Sequence, residues 1–183
     1  MTDHDFRRDL VAHIPPLRAF AISLTGKVDR ADDLVQETLL KAWANRDSFE
    51  PGSKFKAWLF TILRNEFYTV FRKRKREVED ADGAIAANVG VHPEQDSHMD
   101  LTDMQQALGQ LPVDQREALL LVSASDMSYE EAAAICGVAV GTIKSRVNRA
   151  RARLADLLQL KEGADFGPEP EVRAALAPRT GHG

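Results

Sequence analysis

The sequence has a single cysteine, no long apolar run and no recognisable export signal. Cys136 has no partner for an intrachain disulfide and occupies an apolar helix position, so we expect it to be a small core residue. No apolar stretch reaches the roughly 18 residues that a membrane span needs, and the N-terminal MTDHDFRRDL does not resemble a signal peptide. These absences predict a cytoplasmic protein with no membrane span.

The chain also lacks the residue patterns of catalysis. Its histidines show no metal-ligand spacing; they are His4, His13, His92, His98 and His182. Neither a P-loop nor a nucleophile motif is present. We therefore expect no catalytic residue, no metal site, no cofactor and no enzymatic activity, which leaves binding as the function to explain.

Positive charge is in slight deficit overall, and it is segregated along the chain. The net charge is −4, which is unusual for a simple DNA-binding protein. However, Arg72–Arg76 is an unbroken basic run, and a second basic stretch follows Gly141. Between them, the segment from Glu77 to Asp103 contains acids but neither lysine nor arginine. Such segregation predicts separate nucleic-acid-binding and acidic segments.

Residues Tyr129 to Leu154 have the pattern of a helix-turn-helix. Ser128 and Glu131 form a capping-box signature at a helix start. Gly137 suits the left-handed C-cap of that helix, and a second helix should begin near Val140. The second helix has apolar residues three or four positions apart, which places them on one face: Ile143, Val147, Ala150, Leu154 and Leu157.

The remaining faces of the second helix predict DNA binding. No acid lies between Gly141 and Arg153. Residues near the start of a recognition helix reach base edges, so we place Lys144, Ser145 and Asn148 in the major groove; Lys suits guanine and Asn suits adenine. The arginines further along would hold phosphates. The alternative is a solvated basic helix packed by its apolar face.

The fold class predicted from these patterns is all-α, with two small helical domains joined by a flexible acidic linker. The boundaries we infer are residues 1–76, a linker over 77–95, a second domain over 96–160, and a disordered tail over 161–183. A long helix from about Lys54 to Arg76 contains six aromatic residues beside the basic run. Aromatic rings next to cations suit single-stranded nucleic acid, although most of these rings fit a core stripe equally well.

Three ordered motifs resemble those of the extracytoplasmic-function sigma factors, subunits that direct bacterial RNA polymerase to promoters. DDLVQETLLKAW resembles the segment that docks on polymerase, SFEPGSKFKAWLFTILRN the segment that melts and captures the −10 element, and EEAAAICGVAVGTIKSRVNRARARL the segment that reads the −35 element. The chain is most similar to the EcfG-type general stress response group. This resemblance implies control by a NepR-type anti-sigma factor and a PhyR-type competitor.

The resemblance also implies roles for individual residues. The polymerase contacts, to the β′ clamp coiled coil, would come from Asp32, Asp33, Gln36 and Glu37. A flipped −10 base would be received by the loop with Phe49 and Ser53, and by Asn65, with phosphates held by Arg72, Lys73 and Arg74. The −35 element would be contacted by Thr142, Lys144, Ser145, Arg146, Asn148 and Arg149. A further polymerase contact, to the β flap, is implied for the second domain.

Two other functions remain open at this point. A stand-alone helix-turn-helix regulator would bind duplex DNA without polymerase, but it leaves DDLVQETLLKAW and the basic–aromatic helix unexplained. A sigma mimic that sequesters an anti-sigma factor would carry a receiver domain and lose its DNA-contacting cations. The basic residues between Lys144 and Arg153 are present here.

Overall fold

A computed structural model describes residues 3–50, 52–81 and 99–158, and within these ranges every regular element is helical. The predicted all-α fold is therefore confirmed. The predicted tail lies outside the described residues, as does the predicted linker from residue 82 onward.

The N-terminal bundle consists of α1 (Asp3–Ala12), α2 (Ile14–Thr25), α3 (Val28–Ala44), a 3₁₀ turn (Arg46–Ser48) and α4 (Phe55–Ala81). The chain bends at His13 because Pro15 and Pro16 occupy the first turn of α2, where a missing N–H breaks no helical bond. Apolar side chains of α2, α3 and α4 close the core between them; the buried ones include Leu17, Phe20, Leu34, Leu59, Phe60 and Leu63.

Helix α4 is longer than the sequence pattern predicts. We expected it to end at Arg76, but its backbone remains helical through Ala81. Residues 77–81 include glutamate and alanine, which favour helix, and the first glycine comes only at Gly83. The acidic segment therefore begins as a continuation of the helix that carries the basic run.

The C-terminal bundle consists of α5 (Met99–Gly109), α6 (Val113–Leu119), a π-helical turn (Leu120–Ala124), α7 (Tyr129–Cys136) and α8 (Val140–Leu157). After α6 the backbone widens into the π-helical turn, in which the Ser125 N–H donates to Leu120 O over 2.9 Å. Residues of α8 fill the centre of this bundle; they are Ile143, Val147, Ala150 and Leu154.

The two bundles pack against each other. Helix α2 contacts α5 and α6, and α4 contacts α7. The sequence alone left this arrangement open. No helix among the described residues is long and apolar enough to span a bilayer.

Candidate nucleic-acid interface

The helix-turn-helix is built as the sequence predicts. Ser128 Oγ accepts a hydrogen bond from the Glu131 N–H over 3.1 Å, and Glu131 Oε2 accepts one from the Ser128 N–H over 2.7 Å. Together these bonds satisfy two free amides at the start of α7. Gly137 ends α7 with φ of 65°, a conformation that glycine adopts without steric cost. The predicted capping box and turn are therefore confirmed.

Helix α8 turns one face inward and leaves three of its five cations exposed. Lys144, Asn148 and Arg149 are exposed, and the Lys144 ammonium lies 5.9 Å from the centre of the Tyr129 ring. Ser145 is half-buried, and its hydroxyl donates to the carbonyl of Thr142 over 3.1 Å. The start of α8 thus presents a cation and an amide side by side, with two hydroxyl residues beside them.

Two features of α8 differ from a simple row of DNA-contacting cations. Arg146 is turned toward α6, where its Nε lies 3.2 Å from Asp114 Oδ2 and its side chain is only 20% exposed. A contact between Arg146 and DNA therefore competes with this ion pair. Ala139 caps the helix without a side-chain hydrogen bond. The first N–H groups of α8 can consequently donate hydrogen bonds to a phosphate oxygen.

The loop before α4 is ordered by a buried ring. Phe49 is 9% exposed, and its ring centre lies 5.1 Å from that of Phe55 and 5.3 Å from that of Trp58. Since the ring is enclosed by other rings, it offers no open stacking face. Ser53 is exposed, and its hydroxyl donates to Glu50 O over 2.7 Å. Phe49 therefore shapes the loop, while Ser53 is available at its surface.

Helix α4 carries an exposed polar face toward its basic end. Asn65, Thr69, Arg72 and Arg76 recur at helical spacing and are all exposed. Asn65 lies ten residues beyond Phe55, which is about 15 Å along a helix axis. The loop and Asn65 are therefore two separate positions along the same helix.

The residues predicted to contact −10 phosphates lie at the surface. Arg72, Lys73 and Arg74 are exposed on α4. Of the six aromatic residues of this helix, Phe60 and Phe67 are buried and Phe71 is 41% exposed. The interpretation that most of these rings belong to the core fits the structure better than an aromatic platform along the whole helix.

The outward face of α3 carries the four residues assigned to polymerase docking. Asp32, Asp33, Gln36 and Glu37 are exposed, whereas Leu34 and other apolar residues of α3 are buried. Asp32 is held by Arg18 through two bonds of 2.6 and 3.2 Å, and these bonds lower the pKa of the Asp32 carboxyl. Asp33 and Gln36 remain outside this pair.

An apolar groove between α1 and α3 borders this face, and sequence reasoning did not identify it. Its volume is about 260 Å³, and its lining includes Leu10, Val11, Leu39, Leu40 and Trp43. Val11 is 58% exposed and Leu40 is 59% exposed. The sequence feature that could have indicated this groove is Leu40, an apolar residue on the outward side of α3.

Comparison with known proteins decides the family. Residues 10–77 match the model of Sigma-70 region 2, and residues 101–154 match that of Sigma-70, region 4. The ECF RNA polymerase sigma factor EcfG of Rhodopseudomonas palustris is 61% identical over 176 residues, covering 96% of this chain and 97% of that protein. The chain belongs to the extracytoplasmic-function sigma factors. It therefore binds core RNA polymerase and directs it to promoters.

Two further similarities are informative about the sigma factor. The RNA polymerase sigma factor CnrH of Cupriavidus metallidurans is 33% identical over 159 residues, covering 81% of each chain. The crystallised sigma factor RpoE of Bartonella quintana, in complex with the anti-sigma factor NepR, is 60% identical; it has a TM-score of 0.77 and covers 86% of this chain and 99% of that one. The region 2 match accounts for the N-terminal half that a stand-alone regulator leaves unexplained.

Proposed function

We propose that the sigma factor holds a promoter at two points, with α8 on the −35 element and α4 with its preceding loop on the −10 element. The observation that carries this proposal is the placement of exposed cations on each bundle. One array is at the basic end of α4, and the other is along α8. The domains we propose are residues 1–76 for docking and −10 recognition and 96–160 for −35 recognition, with 77–95 as linker and 161–183 as tail.

On the −35 side, Lys144 and Asn148 read base edges in the major groove. Both are exposed near the start of α8, where a recognition helix meets bases. Arg149 holds a phosphate, and Thr142 and Ser145 add hydroxyl contacts at the same end. Arg146 reaches DNA only when its ion pair with Asp114 opens.

On the −10 side, the loop with Ser53 receives an unstacked base of the non-template strand, and the exposed Asn65, about 15 Å further along α4, contacts the same strand at another nucleotide. Removing a base from the stack costs a few kcal/mol, which polymerase binding and phosphate contacts offset. Arg72, Lys73 and Arg74 supply those phosphate contacts. Phe49 acts by holding the loop in shape, because its ring is buried.

Polymerase docking falls to the exposed face of α3. Asp33, Gln36 and Glu37 contact the β′ clamp coiled coil directly, and Asp32 contributes through its pair with Arg18. The C-terminal bundle contacts the β flap. The sigma factor has no chemistry of its own and works in the cytoplasm, where polymerase acts.

Control by a NepR-type anti-sigma factor completes the proposal. The support is the Bartonella quintana sigma factor, which is 60% identical and was crystallised with NepR. The similarity to EcfG extends over nearly the whole chain. The genes served would be those of the general stress response.

Promoter-dependent transcription with purified core polymerase tests the proposal. The sigma factor with core polymerase should produce run-off transcripts from a promoter with matched −35 and −10 elements, and core polymerase alone should not. Duplex binding by the free chain without any polymerase-dependent initiation would contradict the two-point model.

Reversing a charge on α3 tests the docking face. Asp33→Arg replaces an exposed anion of the proposed docking face by a cation, so polymerase affinity should fall while the fold remains intact. Competition for core polymerase against the wild-type chain measures this loss, and circular dichroism checks the fold. Lys27→Glu, an exposed charge reversal just before α3, is the matched control. Normal transcription by Asp33→Arg would show that the docking assignment is wrong.

A further inference from the structure

Lys54 lies at the point where the loop before α4 joins the helix. The Ser53 N–H donates to Glu50 O over 3.0 Å, which closes the turn of the loop. The Trp58 N–H donates to Lys54 O over 3.1 Å, which starts the first helical turn. The Lys54 side chain is nevertheless 71% exposed. A fixed backbone therefore presents an exposed cation beside the loop.

The surface of the loop is open close to this cation. Gly52 has φ of 94°, a conformation that glycine adopts without steric cost. A Cβ built at Gly52 would have no other atom within 4 Å. The loop therefore leaves open space two residues before Lys54.

Lys54 also extends the exposed polar face of α4 toward the loop. Asn65 and Arg72 belong to this face. Lys54 lies 11 residues before Asn65, and three turns of a helix contain about 10.8 residues, so both are on the same side. Arg72 is about 27 Å beyond Lys54 along the axis. One face therefore carries a cation at each end and an amide between them.

A carboxylate of the other bundle occupies the Lys54 ammonium. Lys54 Nζ lies 2.8 Å from Glu131 Oε1, and the Lys54 ammonium is the largest cause of the lowered pKa of the Glu131 carboxyl. Lys54 can thus hold an anion at this position. A phosphate oxygen is the same kind of partner, a charged acceptor for an ammonium donor.

The contact between Lys54 and Glu131 differs from the buried charged contacts between the bundles. Arg116 is 7% exposed and Glu117 is 0% exposed, and Arg64 Nε lies 2.7 Å from Glu117 Oε1. Breaking a buried pair is costly because one charge is left without a partner. An exposed lysine pair contributes little, since water screens it. Lys54 can therefore exchange Glu131 for another anion easily.

Lys56, the next cation along the chain, is not equivalent to Lys54. It is half-buried, its ammonium donates to the carbonyl of Ser125, and it lies 6.0 Å from the centre of the Phe60 ring. Residues two apart do not share a helix face. Lys54 is thus the cation that lies on the polar face of α4.

We propose that Lys54 binds a phosphate of the non-template −10 strand, at a linkage next to the base that the loop receives. This inference rests on the proposed −10 role of the loop and α4, and it adds a phosphate contact beside the loop. Contacts to phosphate carry no sequence information directly, so Lys54 contributes affinity and placement of the strand.

Binding of a single-stranded −10 oligonucleotide to holoenzyme tests the contact. A fluorescent non-template strand reports binding by anisotropy between about 50 and 200 mM salt. Lys54→Gln should weaken binding about three- to tenfold, and the slope of log K against log salt should become shallower by about 0.7, because one phosphate contact is lost. Lys54→Arg keeps the charge and should bind as wild type.

Glu131→Gln is the matched control for Lys54→Gln. It removes the same ion pair from the other side and leaves the Lys54 charge in place. Glutamine also completes a capping box, so α7 keeps its cap. Glu131→Gln holoenzyme should bind the strand at least as tightly as wild type. Equal weakening by Glu131→Gln and Lys54→Gln would overturn the contact, because loss of the ion pair would then explain both.

A neutral linkage in the strand identifies the phosphate. A methylphosphonate next to the unstacked base removes one negative charge and should weaken wild-type binding as much as Lys54→Gln does. Combining the two should give no further loss, because both remove the same contact. Losses that multiply would show that Lys54 does not bind this phosphate.

Arg72→Gln separates this inference from the proposed function. Lys54 and Arg72 are exposed, so circular dichroism should show unchanged folds for both variants. If Arg72→Gln weakens binding and Lys54→Gln does not, the Lys54 contact alone is wrong. If neither variant weakens binding, the proposed path of the −10 strand along α4 is wrong as well.

Discussion

The two DNA-binding regions of this sigma factor are specified in different ways. In the helix-turn-helix, the cap, turn and apolar face are set by residues within one short segment, from Ser128 to Leu157. On the −10 side, the loop before α4 takes its shape from rings brought together from distant positions: Phe6, Trp43, Phe49, Phe55 and Trp58. One region is local in sequence, and the other depends on the tertiary core.

Removing a ring from the −10 side should have the largest effect. Phe49→Ala deletes a buried aromatic side chain and should lower the free energy of unfolding by about 3–5 kcal/mol. Urea denaturation measures this change. Phe71→Ala is the matched control, because that ring is 41% exposed, and it should cost less than about 1 kcal/mol. Equal losses of unfolding free energy in Phe49→Ala and Phe71→Ala would show that the buried ring of Phe49 does not stabilise the loop before α4.

A change at the proposed base-reading end of α8 should have an intermediate effect on specificity and leave stability unchanged. Lys144→Ala should cost about 1–3 kcal/mol at one −35 base pair and relax discrimination there. Holoenzyme binding to promoters that vary at single −35 positions measures it. Arg153→Ala, an exposed cation of the same helix, should weaken binding without changing base preference. A uniform loss for Lys144→Ala would show that Lys144 contacts only phosphate.

Loss of the helix cap should have the smallest effect. Ser128→Ala removes the capping hydroxyl and should destabilise the fold by about 1 kcal/mol. Ser53→Ala, which removes an exposed loop hydroxyl, should change stability by less than about 0.5 kcal/mol. Thermal denaturation compares the two. If both substitutions change the stability equally, the capping box contributes nothing measurable. The helix-turn-helix would then not owe its stability to local residues such as Ser128.

The contrast explains which features could be predicted from the sequence. The cap at Ser128, the turn at Gly137 and the inward face of α8 depend on helical spacing, which is visible in a linear sequence. The burial of Phe49 was not predictable, because it depends on rings from α4. The pairing of Arg146 with Asp114 likewise requires knowing how α8 crosses α6.

The contacts between the two bundles were the feature least predictable from the sequence. Arg116 and Glu117 look like ordinary surface residues of an amphipathic helix. Their burial follows only from the packing of one bundle on the other, and ion-pair partners such as Arg64 are distant in sequence. The outward position of Asp32, Asp33, Gln36 and Glu37, in contrast, could be predicted from helical spacing, and all four are exposed; their proposed role in polymerase docking came from the family resemblance.

The groove between α1 and α3 has a practical consequence for the unbound molecule. Val11 and Leu40 present aliphatic surface to water in the free sigma factor. Adjoining exposed apolar groups promote association between copies. The unbound chain should therefore be the form most prone to precipitate at high concentration. A protein that binds over this groove would shield its apolar residues from water and so keep the sigma factor in solution. Co-expression with such a protein should raise the soluble yield of the sigma factor.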